Sequence, residues 1–404
     1  MADRVLLISE APIATVQLLE RILQHLEHTT GLSTQSRLLS ELTPDDFSDG
    51  TYPLLVRSCS PQAHALVSAL VRTGTPYGFY IDDNFWLLDP NTPLGRHYAA
   101  WPTRRRLDAI VRDAKPAIAA TPLLRDWLAP RAHAVQQLDS FFDFTLVERE
   151  LIARPDRVGL RVGFAASASR GKDLAAVLDE LLGVLDEYPE LELEIIGADS
   201  DALPEHNRVT TFPYLSSYAE YLAFQRSRAW DIGIAPLGSA ASNQYKTDNK
   251  YREYAALGIA GIYQQSAPYA AVRDGDTGLV AGGDRTWGDA LRWYCTEPGL
   301  IDAVREAARR DAQQRISLEA VAPQWEAFFA AAPSVSDQPG RAELLRRELA
   351  RPLSARARRA QHIRLLWEFG LTHLAERGLW RTLGSTARYL LRRRPLKQQH
   401  TLQD

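Results

Sequence analysis

Short apolar runs alternate with amphipathic stretches along most of this chain, in two successive sets. In the first, residues 5–8, 53–56, 77–81, 117–120 and 134–136 read as strands, while 15–26 and 62–72 carry apolar positions at helical spacing. Strands alternating with helices imply a parallel sheet. Residues 143–156 form a linker, punctuated by Arg154, Pro155 and Asp156. The second set has strands at 160–164, 193–196, 209–212, 232–235, 259–263 and 279–280, and helices at 173–187, 217–227, 250–257 and 285–293. A helix at 319–329, with Trp325 and two phenylalanines, ends it. Residues 334–340 are again a linker, and 341–394 read as helices rich in Arg and Leu, interrupted at Pro352 and Gly384. The pattern predicts two α/β domains, 1–150 and 151–333, and a helical extension, 334–404.

The most informative chemistry lies at residues 243–258, Asn-Gln-Tyr-Lys-Thr-Asp-Asn-Lys-Tyr-Arg-Glu-Tyr-Ala-Ala-Leu-Gly, between two apolar runs. It reads as strand, polar loop, short helix, glycine stop, strand. Such a loop lies at the carboxyl end of a parallel sheet, where α/β proteins bind ligands. Lys246, Thr247 and Lys250 bring cations and a hydroxyl to open backbone N–H groups, which suits a phosphate. Glu253 shares a helix face with both lysines. A carboxylate there suits a diol, such as a ribose, beside the phosphate. Asn243 and Thr247 serve the ligand or simply make the turn and cap the helix. The plainer alternative for Lys250 and Glu253 is an exposed i, i+3 pair worth ~0.2–0.5 kcal/mol.

Two further segments follow predicted strands. Residues 163–173, Gly-Phe-Ala-Ala-Ser-Ala-Ser-Arg-Gly-Lys-Asp, form a small flexible loop ending in two cations. Gly163 and Ser167 let a backbone approach a ligand closely. The glycine spacing and Asp173 exclude a Walker A loop. A plain turn with Asp173 as helix cap is the alternative. Residues 79–86, Phe-Tyr-Ile-Asp-Asp-Asn-Phe-Trp, put Asp82, Asp83 and Asn84 at a ligand edge. Either Asp82 or Asp83 suits an acceptor hydroxyl, as a hydrogen-bond partner or a base, and Phe85 and Trp86 suit a sugar face. Turn chemistry and core packing are the plainer readings. His97 lies in a loop of the first domain, and Tyr269 and residues 274–278 shape the rim of the ligand pocket.

Composition narrows the class. An apolar fraction of 45% over 404 residues supports sizeable cores, and no run approaches the ~18 apolar residues of a membrane span. The chain opens directly on a strand pattern with no signal-peptide architecture. Cys59 and Cys295 lie far apart and make no CxxC or zinc pattern, which points to a reducing, cytoplasmic setting. The net charge of −3 hides an asymmetry: from Arg341 on, 15 Lys/Arg stand against 5 Asp/Glu. The acidic body lacks the basic, aromatic-laced stripe of a nucleic-acid binder. The basic tail either lies on an anionic membrane surface or packs as a helical cap on the first domain.

Residues 253–260, Glu-Tyr-Ala-Ala-Leu-Gly-Ile-Ala, resemble the Glu-Ala-Met-Ala-x-Gly-x-Pro signature of the GT4-like group of GT-B glycosyltransferases. Residues 272–280, Val-Arg-Asp-Gly-Asp-Thr-Gly-Leu-Val, resemble that family's Gly-rich turn before its last strand. The resemblance covers residues 155–330 most closely. It implies a GT-B fold: two Rossmann-like doubly wound parallel-sheet domains facing a cleft, here with a C-terminal helical extension. The last helix of the second domain would cross back to the first, and closure of the cleft would complete the site. The resemblance also implies sugar transfer from a nucleotide-diphosphate donor to a hydroxyl of a glycan or lipid-linked acceptor, with retention, in polysaccharide or surface-glycan synthesis. On that reading Arg170, Lys172 and Lys246 meet the diphosphate, and Asn243, Thr247, Lys250, Glu253 and Tyr269 line the donor site. His97 approaches the sugar, and no metal or other cofactor takes part. The family's second Glu, eight positions before Glu253, is Tyr245 here, so its contact to the sugar ring loses its residue. A sugar-nucleotide epimerase and a non-catalytic nucleotide- or glycan-binding partner remain as alternatives.

Overall fold

The computed structural model describes residues 3–147, 151, 158–166, 170–197, 206–215, 217–332 and 340–350. Ser167 of the predicted loop and residues 351–404 of the tail lie outside them. The chain divides into two compact units. One takes the residues up to Leu138, the segment Ala240–Lys246 and the described residues from Ala322 on; the other takes Asp139–Ser239 and Thr247–Val321.

The first unit is built on β1 (Arg4–Ser9), β2 (Ser33–Leu38), β3 (Thr51–Val56), β4 (Gly78–Ile81), β5 (Ala117–Ala119) and β6 (Val135–Gln137). All pair in parallel, in the order β2-β1-β3-β4-β5-β6. The order reverses between β1 and β3, which opens a crevice at their carboxyl ends. Helix α1 (Ala14–Thr30) follows β1 and buries Val16, Leu19, Ile22, Leu23 and Leu26 along one stripe. It stops at Gly31, whose φ of +76° lets its N–H close on the Glu27 carbonyl. Helix α2 (Pro61–Arg72) starts where the Ser60 side chain accepts from the Ala63 N–H, with Pro61 in the first turn. Helices α3 (Pro93–Ala99), α4 (Trp101–Asp113) and α5 (Pro122–Leu128) complete the unit.

The second unit holds β7 (Arg161–Ala165), β8 (Glu192–Ile196), β9 (Val209–Phe212), β10 (Ile232–Ala235), β11 (Ala260–Gln264) and β12 (Leu279–Ala281). Its parallel order is β12-β11-β10-β7-β8-β9, with the switch point between β7 and β10. The helix predicted at 173–187 is broken into α6 (Gly171–Ala175) and α7 (Leu178–Glu187), because Val177 leaves helical geometry with φ −121° and ψ −4°. Then come α8 (Tyr218–Arg228), α9 (Asn249–Leu257), α10 (Trp287–Thr296) and α11 (Pro298–Arg315).

Helix α12 (Leu318–Ala331) begins among residues of the second unit, and from Ala322 its residues belong to the first. There Trp325 lies against Tyr80 at 5.9 Å, while Phe328 and Phe329 lie edge-on to Tyr52. Helix α13 (Arg341–Ala350) opens the extension and also packs on the first unit. Leu345 is fully buried in that core, and Glu348 pairs with Arg72 at 2.8 Å.

Helix α9 carries the predicted ligand side chains, and α11 holds it. Arg305 and Arg309 bond the carbonyls of Gly258 and Ala256 at its carboxyl end, where cations also complement the helix dipole. The Tyr251 hydroxyl donates to Asp311 at 2.5 Å. Burial alone would raise the Asp311 pKa, but hydrogen bonds from Arg315, Tyr251 and Arg273 outweigh it and bring it down to about 2. A lowered folded-state pKa stabilises the fold above the unfolded value near 3.8 and ceases to as pH falls through about 2. Arg273 and Arg315 are half exposed, so solvent screening discounts the effect. Asp311→Asn is therefore expected to cost about 1–2 kcal/mol at pH 7 in chemical denaturation. The gap should close between about pH 4 and pH 2; a gap constant across that range would remove the ion-pair account.

Candidate functional site

Each unit carries a polar cluster at its own switch point. In the first, the chain leaves β3 through Arg57, whose φ of +48° is rare for a non-glycine residue. The Arg57 guanidinium lies 3.4 Å from Asp82 and 3.7 Å from Asp83, just after β4. It also donates to the Thr15 hydroxyl at 3.2 Å, and Thr15 donates to Asp82 at 2.6 Å. Burial alone would lower the Arg57 pKa, but the charges of Asp82 and Asp83 outweigh it and raise it.

Asp83 also takes a 3.1 Å hydrogen bond from Lys246 Nζ, and both side chains are about a quarter exposed. The sequence suggests a phosphate beside Lys246; in the structure this lysine belongs to the first unit as the partner of Asp83. The neighbouring positions of its segment are anchored in the same unit. Asn243 is buried in a short 3₁₀ turn, Ala241–Tyr245. Tyr245 packs edge-on against Trp127, and its carbonyl accepts from Thr121.

Asn84 makes a turn, its Oδ1 accepting from the Trp86 N–H at 3.1 Å. Phe85 is not free for a sugar: it is fully buried and stacked on Tyr98 at 4.3 Å. Trp86 is partly buried, and its indole N–H donates to Asp108 at 2.6 Å. His97, expected in a loop, sits on α3 with its ring edge-on to Tyr98.

The second unit brings together what the sequence kept far apart. After β7, Arg170 bonds Asp173 and donates to the Pro236 carbonyl, beyond β10, at 3.2 Å. Asp173 in turn accepts from the Gly238 N–H at 2.8 Å. These bonds join the two loops that flank the switch point. Lys172, next to them, is exposed.

On α9, Lys250 donates to Glu253 Oε2 at 2.6 Å and to the Tyr221 hydroxyl, on α8, at 2.8 Å. The Tyr221 hydroxyl donates to the same Oε2 at 3.0 Å. Asp248, at the start of α9, makes no side-chain cap and pairs with Arg252 at 3.0 Å instead. The first N–H groups of α9 are thus left without a side-chain cap. Thr247 donates to Asn249 at 3.0 Å.

Tyr269, in the short turn after β11, is buried against Tyr263. Burial raises its pKa, the Arg170 charge opposes that rise, and the charges of Asp248, Glu253 and Asp173 add to it. Charges from the loops after β7 and β10 and from α9 thus all act on one hydroxyl in the turn after β11. Gly163 lies within β7, where the Trp230 indole fills the space beside it. The turn at 274–278 directly precedes β12, towards the amino edge of the sheet, and so does not line this site. Thr15 and Tyr221 carry no signal in the sequence that marks them as site residues. For Arg57 a signal was present, a charged residue directly after an apolar run.

Among the described residues, no group of three or more His, Cys, Asp or Glu is placed to hold a metal ion. No helix among them is long and apolar enough to cross a membrane.

No protein-family model matches the chain, and no curated protein matches it. Solved structures do. Anabaena HepE in complex with UDP-glucose is 13% identical with a TM-score of 0.59, over 81% of this chain and 100% of that one. A trehalose-6-phosphate synthase studied for glycosyl transfer with retention is 11% identical with a TM-score of 0.57, over 81% and 99%. Sucrose-phosphate synthase from Thermosynechococcus elongatus is 13% identical with a TM-score of 0.52, over 82% and 100%. The two six-stranded parallel sheets are the GT-B fold that the sequence leads one to expect.

Proposed function

We propose that this protein is a glycosyltransferase that moves a sugar from a nucleoside-diphosphate sugar to an acceptor hydroxyl. The observation that carries the reading is that Arg170, tied to the loop after β10, and Glu253, paired with Lys250 on α9, both act by their charges on the buried Tyr269 hydroxyl beside the second unit's switch point. Arg170 and the exposed Lys172 supply charge for the diphosphate, with Thr247 and the open N–H groups of α9 beside them. Glu253 takes the ribose. These cations meet the leaving-group charge without a metal. At the first unit's switch point, Asp82 or Asp83 orients the acceptor hydroxyl, and the hydrogen bond from Lys246 holds Asp83 in place.

The similar structures support a nucleotide-sugar donor, since HepE is seen with UDP-glucose, and the trehalose-6-phosphate synthase supports retention. The acceptor we propose is a glycan or a lipid-linked sugar in polysaccharide or surface-glycan synthesis. Residues 351–404, with 12 Lys/Arg against 3 Asp/Glu, suit an anionic membrane surface. One observation favours a binding-only alternative: the position of the family's sugar-contacting Glu is Tyr245, committed to Trp127.

A melting panel of UDP, GDP, dTDP, ADP and CMP against wild type and Glu253→Ala tests the donor site. A nucleotide at 100 times its Kd should stabilise wild type by about 2.7 kcal/mol, and the variant far less. No stabilisation of wild type at millimolar concentration would overturn the reading. Stabilisation without any sugar transfer would favour the binding-only protein.

A further inference from the structure

Glu253 has two carboxylate oxygens, and the fold has already used one of them. Oε2 accepts from Lys250 Nζ at 2.6 Å and from the Tyr221 hydroxyl at 3.0 Å, which fills both of its lone pairs. Burial, reinforced by the Glu253 charge, raises the Tyr221 pKa, so its hydroxyl keeps the proton it donates. The arrangement is also closed on itself, because Lys250 donates to the Tyr221 hydroxyl at 2.8 Å and lies 5.2 Å from that ring's centroid.

Oε1 is different. It takes no hydrogen bond among the described residues, yet it is not one of the buried side-chain atoms left without a partner, so it reaches solvent. A vicinal diol is gripped firmly when each hydroxyl has its own carboxylate oxygen, as a guanidinium fork is. Here only Oε1 is left for it.

We propose that this site holds a nucleotide's ribose through a single carboxylate oxygen shared by its hydroxyls, and that Tyr221 and Lys250 thereby make it tolerant of 2′-deoxynucleotide donors. The proposal rests on the donor-site reading above and names the substrate class that site accepts: deoxyribonucleoside-diphosphate sugars alongside ribonucleoside ones. Both hydroxyls must share Oε1 and its two lone pairs, so neither has a carboxylate oxygen to itself. When the 2′-hydroxyl is missing, the 3′-hydroxyl remains to take that oxygen. Tyr221 and Lys250 are specificity-determining residues in this scheme, acting through Glu253.

Titration calorimetry of UDP against 2′-deoxy-UDP, and of GDP against 2′-deoxy-GDP, tests it. Two separately gripped hydroxyls would make loss of one cost about tenfold or more in Kd, as for a hydrogen bond to a charged group. The expected wild-type ratio is below about threefold. Tyr221→Phe frees a lone pair on Oε2, so its ratio should rise towards about tenfold, and Lys250→Met should move it the same way if the first variant melts early. A wild-type ratio of ten or more overturns the proposal, as does a ratio that neither variant changes. If no member of either pair binds, the donor-site reading itself has failed and this inference falls with it. Binding with strong ribose discrimination overturns the inference alone.

Discussion

Arg170→Ala is expected to lower kcat/KM by about 10²–10³-fold, the usual effect of removing one preorganised donor from a centre where negative charge develops. Arg170 is preorganised in that sense. Its guanidinium is tied to Asp173 and to the Pro236 carbonyl, so it bridges the loops after β7 and β10. It is also the opposing positive charge at the buried Tyr269 hydroxyl. Sugar transfer builds charge on the departing diphosphate, so the loss should fall on kcat more than on nucleotide Kd. Asp173 keeps its bond from the Gly238 N–H in the variant, so the loop retains an anchor and the melting temperature should move little. Arg170→Lys restores charge but not the planar fork and should recover only part of the rate. Release of nucleoside diphosphate, from the sugar nucleotide that the melting panel selects, is the readout. Turnover at the wild-type rate, or a loss explained by unfolding alone, would take Arg170 out of the mechanism.

What the sequence reveals and conceals follows from where its arginines sit. The strands β3 and β10 are entirely buried, and their apolar runs are plain to read. The edge strand β2, Ser-Thr-Gln-Ser-Arg-Leu, has no buried residue and no alternation, so nothing in it signals a strand. Helices α4 and α11 are hidden for another reason. Arg106 on α4 and Arg305 and Arg309 on α11 occupy buried positions of the helical stripe, where pattern reading looks for apolar residues. Each is satisfied by a backbone carbonyl: Cys59 for Arg106, Gly258 and Ala256 for the other two. The site divides the same way. Lys250 and Glu253 are three apart on one helix, and their contact is legible from spacing alone. Tyr221 reaches them from α8, and Arg57 reaches Asp82 and Asp83 from β3, through strand order, which spacing does not encode.

Gly163 separates a packing account from a ligand account of one residue, and Gly163→Ala is the variant that tells them apart. Read from sequence, this glycine lets a donor approach the backbone; its loss would weaken nucleotide binding and leave the fold alone. In the structure it sits mid-strand, paired with Gly233 on β10 and Glu194 on β8. A methyl there would lie 1.8–2.2 Å from three atoms of the Trp230 ring. That ring cannot swing aside. It is buried, its indole N–H donates to Glu194 at 2.8 Å, and Glu194 is itself gripped by Arg228 and Arg161. Overpacking of this kind is expected to cost about 3 kcal/mol or more, visible as a clear fall in melting temperature. Trp230→Leu in the same chain should return part of that loss, since the two changes share one volume and will not add. A Gly163→Ala protein with wild-type stability and weakened nucleotide binding would reverse the assignment, and would mean that β7 gives way at Trp230 more readily than its hydrogen bonds imply.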